Sequence, residues 1–78
     1  MAVNRRNVEH RGDGRWQVIE PGASRPGAVL RTQREAIERG REILGNSGGG
    51  ELGIRGLDGT FRAQDTIKPG NDPRPSKG

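Results

Sequence analysis

Two short glycine–aspartate segments of the chain resemble each other and constrain its fold. Residues 10–16 read His-Arg-Gly-Asp-Gly-Arg-Trp, and residues 54–61 read Ile-Arg-Gly-Leu-Asp-Gly-Thr-Phe. Each segment follows a strand-like run and places an aromatic residue just after its last glycine. The best helical pattern lies between them. This order predicts an α+β fold, ββαββ: a small antiparallel sheet of two hairpins with one helix packed on one face, and one aromatic residue from each hairpin in the core.

The length and composition of the chain allow only a small core. It has 78 residues, of which 27% are hydrophobic and 31% are charged, so a single domain is expected. It contains no cysteine, and its one histidine, His10, has no metal-ligand cluster around it in the sequence. Disulfides are therefore excluded, and no metal or other cofactor is expected.

The sequence favours a cytoplasmic protein. No apolar run approaches the roughly 20 residues of a membrane-spanning helix, and no apolar N-terminal segment resembles a signal peptide. The lack of cysteine suits a reducing compartment. We expect no membrane partner, and we favour a monomer slightly over a weak homodimer formed through an outer strand.

The charge balance is basic. Fourteen Lys and Arg residues against ten Asp and Glu residues give a net charge of +4 and a sequence pI near 11.0. This balance favours anionic partners, nucleic acid above all. Modest positive charge also keeps a small protein soluble, so the net charge does not decide the function.

Local patterns divide the chain into one domain and a tail. The ββαββ domain is predicted over residues 1–66, with hairpins at about 4–20 and 50–66, a loop at 21–27 and a helix at about 33–44. Ala28 to Leu30 is predicted to be a short extended lead-in to the helix. Residues 67–78 are predicted to form a disordered basic tail, since prolines are the only apolar residues after Ile67.

The predicted helix has recognisable ends. Thr32 and Glu35 match a capping box, in which the Thr32 hydroxyl accepts from the Glu35 amide and the Glu35 carboxylate accepts from the Thr32 amide. Gly45 and Asn46 suit the end of the helix because both tolerate the left-handed conformation. Gly40 costs about 1 kcal/mol relative to alanine inside a helix. This cost is easiest to explain if the helix lies close to the sheet at that point.

The register of the first hairpin follows from its apolar residues. A two-residue loop would place Val8 on the face opposite Trp16. A three-residue loop, 12–14, instead pairs His10 with Trp16 and keeps the apolar residues together. Gly14 then occupies the left-handed bulge position that such loops need.

The second hairpin is predicted to use a different turn. Asp58 and Gly59 suit a two-residue type I′ turn. This turn would pair Gly56 with Phe61 and Arg55 with Arg62. The same register would pair Ile54 with Ala63.

Together the two registers divide the sheet residues between two faces. The face covered by the helix is predicted to carry Val8, His10, Trp16, Val18, Leu52, Ile54, Phe61 and Ala63. The opposite, open face is predicted to carry Asn7, Glu9, Arg11, Arg15, Gln17, Glu51, Gly53, Arg55, Thr60, Arg62 and Gln64.

Three segments of the chain resemble a known family. They are Gly-Arg-Trp-Gln-Val at 14–18, Thr-Gln-Arg-Glu-Ala-Ile at 32–37 and Gly-Gly-Glu-Leu-Gly-Ile-Arg-Gly-Leu-Asp-Gly at 49–59. In this order they resemble domain of unknown function 2188, a family of small bacterial proteins without an assigned activity. The resemblance covers roughly Asn7 to Asp65. It supports the predicted fold and implies no catalytic residue.

No catalytic constellation is found in the sequence, and we expect no enzymatic activity. Asp13 and Asp58 belong to turns, where carboxylates support the backbone, and His10 is expected to pack against Trp16. Residues 48–53 match the glycine pattern of a dinucleotide site formally. A helix precedes that segment and a strand follows it, which is the reverse of what such a site requires.

The favoured interpretation is a non-enzymatic interaction or regulatory module, and the alternative is a nucleic-acid-binding module that uses the open face. Arginine and glutamine on an open sheet can contact phosphates and base edges. The candidate contact residues are Arg11, Arg15, Gln17, Arg55, Arg62 and Gln64. The predicted lack of an aromatic residue on this face argues against a stacking platform for single strands.

Two pairs of arginines are predicted to lie opposite each other beside the turns. Arg55 faces Arg62 in the type I′ register, and Arg11 faces Arg15 in the first hairpin. Like charges opposite each other are destabilising, so the pairs are hypothesised to hold an anion such as phosphate. Alternatively, the arginines extend into water or towards nearby glutamates at little cost.

Overall fold

One helix packs on one face of a five-stranded sheet in the computed structural model of the protein, which describes residues 4–69. The strands and the helix follow the order β1 Arg5–His10, β2 Trp16–Ile19, β3 Ala28–Leu30, α1 Gln33–Asn46, β4 Gly50–Arg55 and β5 Phe61–Ile67. The predicted α+β class with a single helix on the sheet is therefore confirmed. No helix in the described part of the chain is long and apolar enough to cross a membrane.

The sheet is mixed, not antiparallel throughout as predicted, and it has one strand more than predicted. Its strand order is β3-β2-β1-β4-β5. The neighbours are antiparallel except β1 and β4, which run parallel at the centre because the helical connection returns the chain in the same direction. The predicted lead-in Ala28–Leu30 is strand β3, and it pairs with β2. The loop before it is closed by hydrogen bonds from the amide of Ala23 to the carbonyl of Glu20 and from the amide of Gly27 to the carbonyl of Val18.

The first hairpin has the predicted register. His10 lies opposite Trp16, and their rings meet edge to face with centroids 4.9 Å apart. The Arg11 amide donates to the Arg15 carbonyl at 2.7 Å, and Gly14 has a φ of 88°. The three-residue loop at 12–14 with a left-handed glycine is therefore confirmed.

The core lies between the helix and the sheet. Its buried apolar residues are Val8, Trp16, Val18, Ala36, Leu44, Leu52 and Ile54, and partly buried residues around them are Ala28, Leu30, Ile37, Ile43 and Ile67. Trp16 is 8% exposed, as expected for the largest residue of this core. The predicted place of Phe61 in this core is wrong, because Phe61 lies on the other face of the sheet.

Gly40 marks the closest approach of the helix to the sheet. A Cβ atom placed on Gly40 would lie 2.7 Å from Cδ1 of Leu52, a residue with no exposed surface. The glycine therefore accommodates a neighbouring leucine, as the sequence predicted.

The ends of the helix follow its capping residues, with two differences from prediction. The Thr32 hydroxyl accepts from the Glu35 amide at 3.1 Å, but the Glu35 carboxylate accepts from the amide of Arg31 rather than that of Thr32. The helix ends at Asn46, two residues later than predicted, and the left-handed residue after it is Gly48, with a φ of 97°.

The predictions for the chain ends fall largely outside the described residues. Ile67 belongs to β5, so the second hairpin ends one residue later than predicted. The disorder predicted for the first few residues and for the tail concerns residues 1–3 and 70–78, which the structure does not describe.

Candidate nucleic-acid interface on the open sheet face

The second hairpin uses the same three-residue turn as the first. The Gly56 amide donates to the Thr60 carbonyl at 2.9 Å, and the Gly59 amide donates to the Gly56 carbonyl at 3.0 Å. Gly59 has a φ of 86°, which matches Gly14 in the first turn. The predicted type I′ turn is therefore wrong, because the loop contains Leu57 as well as Asp58 and Gly59.

Strand β5 contains a β-bulge that compensates for the additional loop residue. Ile54 lies opposite Ala63 as predicted, but the next pair is Arg55 with Phe61, so Arg62 is the extra residue of the bulge. The bulge reverses the side on which Phe61 lies. Phe61 is therefore on the open face and 50% exposed, which corrects both its predicted place in the core and the predicted lack of an aromatic residue on this face.

Two arginines lie beside the Phe61 ring. The guanidinium carbon of Arg55 is 4.0 Å from the ring centroid, and that of Arg5 is 6.0 Å from it. A Cβ atom placed on Gly53 would lie 2.8 Å from the ring carbon Cε1 of Phe61. The glycine thus lets the ring lie close to strand β4. We call Arg5, Arg55 and Phe61 the aromatic platform.

Contacts on both sides hold Arg55 of the platform in place. Its Nη1 donates to the Gly59 carbonyl at 2.5 Å, and its Nε lies 3.4 Å from Oε2 of Glu9. That Nε is buried and makes no hydrogen bond within the described part of the chain. Its contact with Glu9 is therefore an ion pair without a hydrogen bond. These contacts restrict the position of the Arg55 guanidinium beside the Phe61 ring.

A chain of side-chain hydrogen bonds continues from Glu9 across strands β1 and β2. Nε2 of Gln17 donates to Oε1 of Glu9 at 3.3 Å, and Nη1 of Arg11 donates to Oε1 of Gln17 at 3.2 Å. The row from the platform to Arg11 is thus linked by polar contacts that restrict each side chain before any ligand binds.

A second chain of hydrogen bonds fixes the other side of the platform. Nη2 of Arg5 donates to Oε1 of Gln64 at 3.3 Å, and Nε2 of Gln64 donates to Oε1 of Glu51 at 3.2 Å. The Thr66 hydroxyl donates to Oε2 of Glu51 at 3.0 Å. Glu51 therefore orients neighbours and reduces the positive charge at this end of the open face.

Asn7 lies at the centre of the open face, beside Gly53. It is 7% exposed, and its Oδ1 is buried without a hydrogen-bond partner in the described part of the chain. A Cβ atom on Gly53 would approach that oxygen to 2.7 Å. A Cβ atom at position 53 would therefore displace the side chains of Asn7 and Phe61, which favours glycine at this central position.

The structure brings four of the six predicted contact residues together on the open face. These are Arg11, Gln17, Arg55 and Gln64. Arg15 is exposed at the first turn and offers its amide to Oδ1 of Asp13 at 3.0 Å. Arg62 lies against Gly56, with its Nη2 3.9 Å from Oδ2 of Asp58.

Only one of the two predicted pairs of facing arginines forms. Arg55 lies opposite Phe61 instead of Arg62 because of the bulge. Arg11 and Arg15 are opposite each other, but Nε of Arg11 turns to Oδ2 of Asp13, at 3.4 Å. The bulge thus removes the predicted repulsion between Arg55 and Arg62, and the contact with Asp13 reduces the repulsion between Arg11 and Arg15.

Sequence reasoning missed Arg5 and Phe61. Arg5 shares the alternation of the open-face residues of β1, and that spacing could have identified it. Phe61 could have been placed correctly from the equal spacing of glycine and aspartate in the two turns, which indicates equal loop lengths.

Both turn aspartates serve the backbone. Hydrogen bonding from the Arg15 amide is the main cause that lowers the pKa of Asp13, and Arg11 adds to it. The Thr60 amide and hydroxyl lower the pKa of Asp58 in the same way. Both carboxylates are therefore ionised at neutral pH.

A polar concavity of about 470 Å³ opens on the same face, between the first turn and the loop before β3. It is lined by Arg11, Gly12, Asp13, Gln17, Ile19, Ser24 and Pro26. We call it the turn groove. Within residues 4–69, no group of three or more His, Asp or Glu side chains is placed to hold a metal ion.

Comparison with known proteins identifies the family of the chain. No curated protein and no solved structure matches it significantly. The profile of one family, described as "Uncharacterized protein conserved in bacteria (DUF2188)", matches residues 6–67. That match covers every strand and the helix, apart from the first residue of β1, and agrees with the resemblance seen in the sequence. The chain belongs to the DUF2188 family.

Proposed function

We propose that the protein is a non-enzymatic interaction module that binds single-stranded nucleic acid on its open sheet face. The observation that carries this proposal is the position of Phe61, which is half exposed on the open face and lies beside Arg5 and Arg55. Aromatic rings and guanidinium planes on open sheets stack with unpaired bases. Each stacked base contributes about 1–3 kcal/mol to binding.

The charges around the platform suit a nucleic-acid backbone. Arg5, Arg11 and Arg55 lie on or beside the face, against Glu9 and Glu51. The whole chain carries a net charge of +4. Phosphate contacts from these arginines would make binding weaken as salt is added.

Single strands fit the open face better than duplex. A base can stack on the platform only when it is unpaired and turned away from its neighbours. Duplex would contact the arginines through phosphate alone, because its bases are already stacked. We therefore expect the protein to bind a short single strand more tightly than a duplex of the same length.

Polar side chains that could serve in catalysis instead make hydrogen bonds that support the fold, which is consistent with a non-catalytic role. Asp13 and Asp58 accept hydrogen bonds from their turns, and the Ser47 hydroxyl donates to the Ile43 carbonyl at the end of the helix. These groups support the fold, and none of them meets a histidine base in the described chain. An interaction with a protein partner, the other reading of the sequence, stays a prediction.

A fluorescence-anisotropy titration tests the proposal. A labelled oligothymidine of about ten nucleotides and a mixed duplex of equal length are titrated with protein at several salt concentrations. We expect tighter binding of the single strand, a salt-dependent affinity, and a loss of about tenfold in Phe61→Ala.

Two charge-matched variants control for non-specific attraction. Arg55→Gln and Arg62→Gln each remove one positive charge, but only Arg55 belongs to the platform. Arg55→Gln should weaken binding clearly more than Arg62→Gln. If the duplex binds as tightly as the single strand, and Phe61→Ala does not weaken binding, net charge alone attracts the nucleic acid. The proposal is also wrong if no binding is detected at low salt.

A further inference from the structure

The turn groove combines apolar walls with two opposite charges. Ile19 and Pro26 provide the apolar surface, while Arg11 and Asp13 provide a cation and an anion. We propose that this groove binds a guanine base, as a second base site on the open face. The inference rests on the proposed function, because it assigns the neighbouring site for the same strand.

Arg11 retains hydrogen-bond donors for a ligand. Its Nε is directed to Asp13 and its Nη1 to Gln17. Its Nη2 makes no hydrogen bond to residues 4–69. An arginine held in this way can donate to O6 of guanine, which lies on the Watson–Crick edge of an unpaired base.

Asp13 distinguishes a base from a phosphate. Its side chain is 51% exposed, and its two oxygens accept from the Arg15 amide and from Arg11. A carboxylate has about four acceptor positions, so Asp13 can still accept from a donor on the ligand. Guanine offers such donors beside its O6 acceptor, namely the imino group at N1 and the amino group at N2 on the same Watson–Crick edge. A phosphate offers acceptors only and would be repelled by Asp13.

The groove and the aromatic platform lie at the two ends of one row of residues. Phe61 lies opposite Arg55, Arg55 contacts Glu9, and Glu9 lies opposite Gln17, which lines the groove. Three strand spacings of about 4.8 Å place the ends about 14 Å apart. A single strand of a few nucleotides, lying across the strands of the sheet, spans that distance.

Base preference is the measurement that tests the groove. Short oligothymidines that carry one guanine, adenine or cytosine at one end are compared by anisotropy. We expect the guanine-containing strand to bind about tenfold more tightly, as one bidentate base contact provides. Guanosine monophosphate and inorganic phosphate are titrated separately, while the amides of Gly12, Asp13 and Ser24 are followed by NMR.

Asp13→Asn separates a base site from an anion site, and Asp58→Asn is its matched control. Asparagine keeps the acceptor for the turn amide and is well tolerated in turns, so both variants should fold. Asp13→Asn should reduce the preference for guanine to about one, and Asp58→Asn should leave it unchanged. At a phosphate site, Asp13→Asn would strengthen the binding of all strands, and that result overturns the inference.

The arms of the experiment separate the two proposals. If strands bind through Phe61 without base preference, and Asp13→Asn has no effect, the guanine site is wrong and the proposed function stands. If no strand binds but guanosine monophosphate shifts the groove amides, dependent on Asp13, the groove binds a free guanine nucleotide and the proposed function fails. If inorganic phosphate alone produces the same shifts, the guanine site is wrong.

Discussion

The guanidinium carbon of Arg55 lies 4.0 Å from the centre of the Phe61 ring, directly across the β4–β5 pair. In a hairpin with a two-residue turn, the same arginine would face Arg62. The additional loop residue therefore replaces a repulsive pair with a cation–π contact, which contributes about 0.5–1 kcal/mol at an exposed site. It also removes Phe61 from the core and places it where a ligand can reach it.

The two aromatic residues should differ sharply in their effect on stability. Trp16→Ala removes the largest core side chain and should cost about 3–5 kcal/mol, which is comparable with the whole stability of a small domain. Phe61→Ala should cost about 1 kcal/mol or less, because its ring is half exposed. Urea denaturation followed by circular dichroism measures both. Similar losses in the two variants would show that Phe61 belongs to the core.

Gly40→Ala should destabilise the protein although alanine favours helices. The substitution gains about 1 kcal/mol of helix propensity, but its Cβ would meet the buried Leu52 at 2.7 Å. Overpacking of this kind costs about 1–3 kcal/mol, so we expect a net loss of about 1 kcal/mol. Leu52→Val alone should also destabilise. In the double variant the two losses should be less than additive, and strict additivity would exclude a contact at this position.

The turn aspartates should contribute to the loss of stability in acid. The pKa values of Asp13 and Asp58 are lowered in the folded protein, chiefly by the amides of Arg15 and Thr60. A carboxylate whose pKa is lowered on folding stabilises the folded protein. This stabilisation is fully present above the pKa of the unfolded state, about 4, and it is lost as the pH falls through the pKa of the folded state.

Asparagine at both positions tests this pH dependence. The double variant Asp13→Asn/Asp58→Asn keeps a neutral acceptor in each turn but cannot titrate. Its urea midpoint should therefore fall less steeply below about pH 4 than that of the wild type. The same slope in both proteins would mean that other carboxylates cause the acid loss.

Arg62→Thr provides a direct check of the second register. In a type I′ hairpin this change would relieve repulsion with Arg55 and raise stability by some tenths of a kcal/mol. In the bulged hairpin Arg62 only approaches the exposed Asp58, at 3.9 Å. We therefore expect a change within about 0.5 kcal/mol, without a gain. A clear increase in the thermal midpoint would contradict the bulge.

The parts of the fold that the sequence predicts are those governed by a single dominant interaction. The first hairpin register follows from the need to bury Val8 and Trp16 on one face. The helix start follows from the Thr32 cap, and the role of Gly40 follows from its cost in a helix. In each case the residue allows few other arrangements of the chain around it.

The parts that were missed depend on competition between near-equal local choices. Asp58 and Gly59 suit both a two-residue turn and the end of a three-residue turn, and the two solutions place Phe61 on opposite faces. Strand β3 was missed because it has only three residues and follows a loop with two prolines, whereas its pairing with β2 depends on residues distant in the sequence. The composition of the open face was therefore predicted only in part, and its aromatic residue was assigned to the core.

The most direct test of the proposed interface is the NMR signal of the Phe61 ring during titration with an oligothymidine at low salt. Stacking of a base on the ring should move the Phe61 ring protons upfield, and the amides of β4 and β5 near the platform should shift with them. The amides on the outer surface of the helix, such as Arg34 and Glu38, should stay in place. Unchanged Phe61 resonances at a protein concentration where the oligonucleotide is bound would contradict the proposed interface.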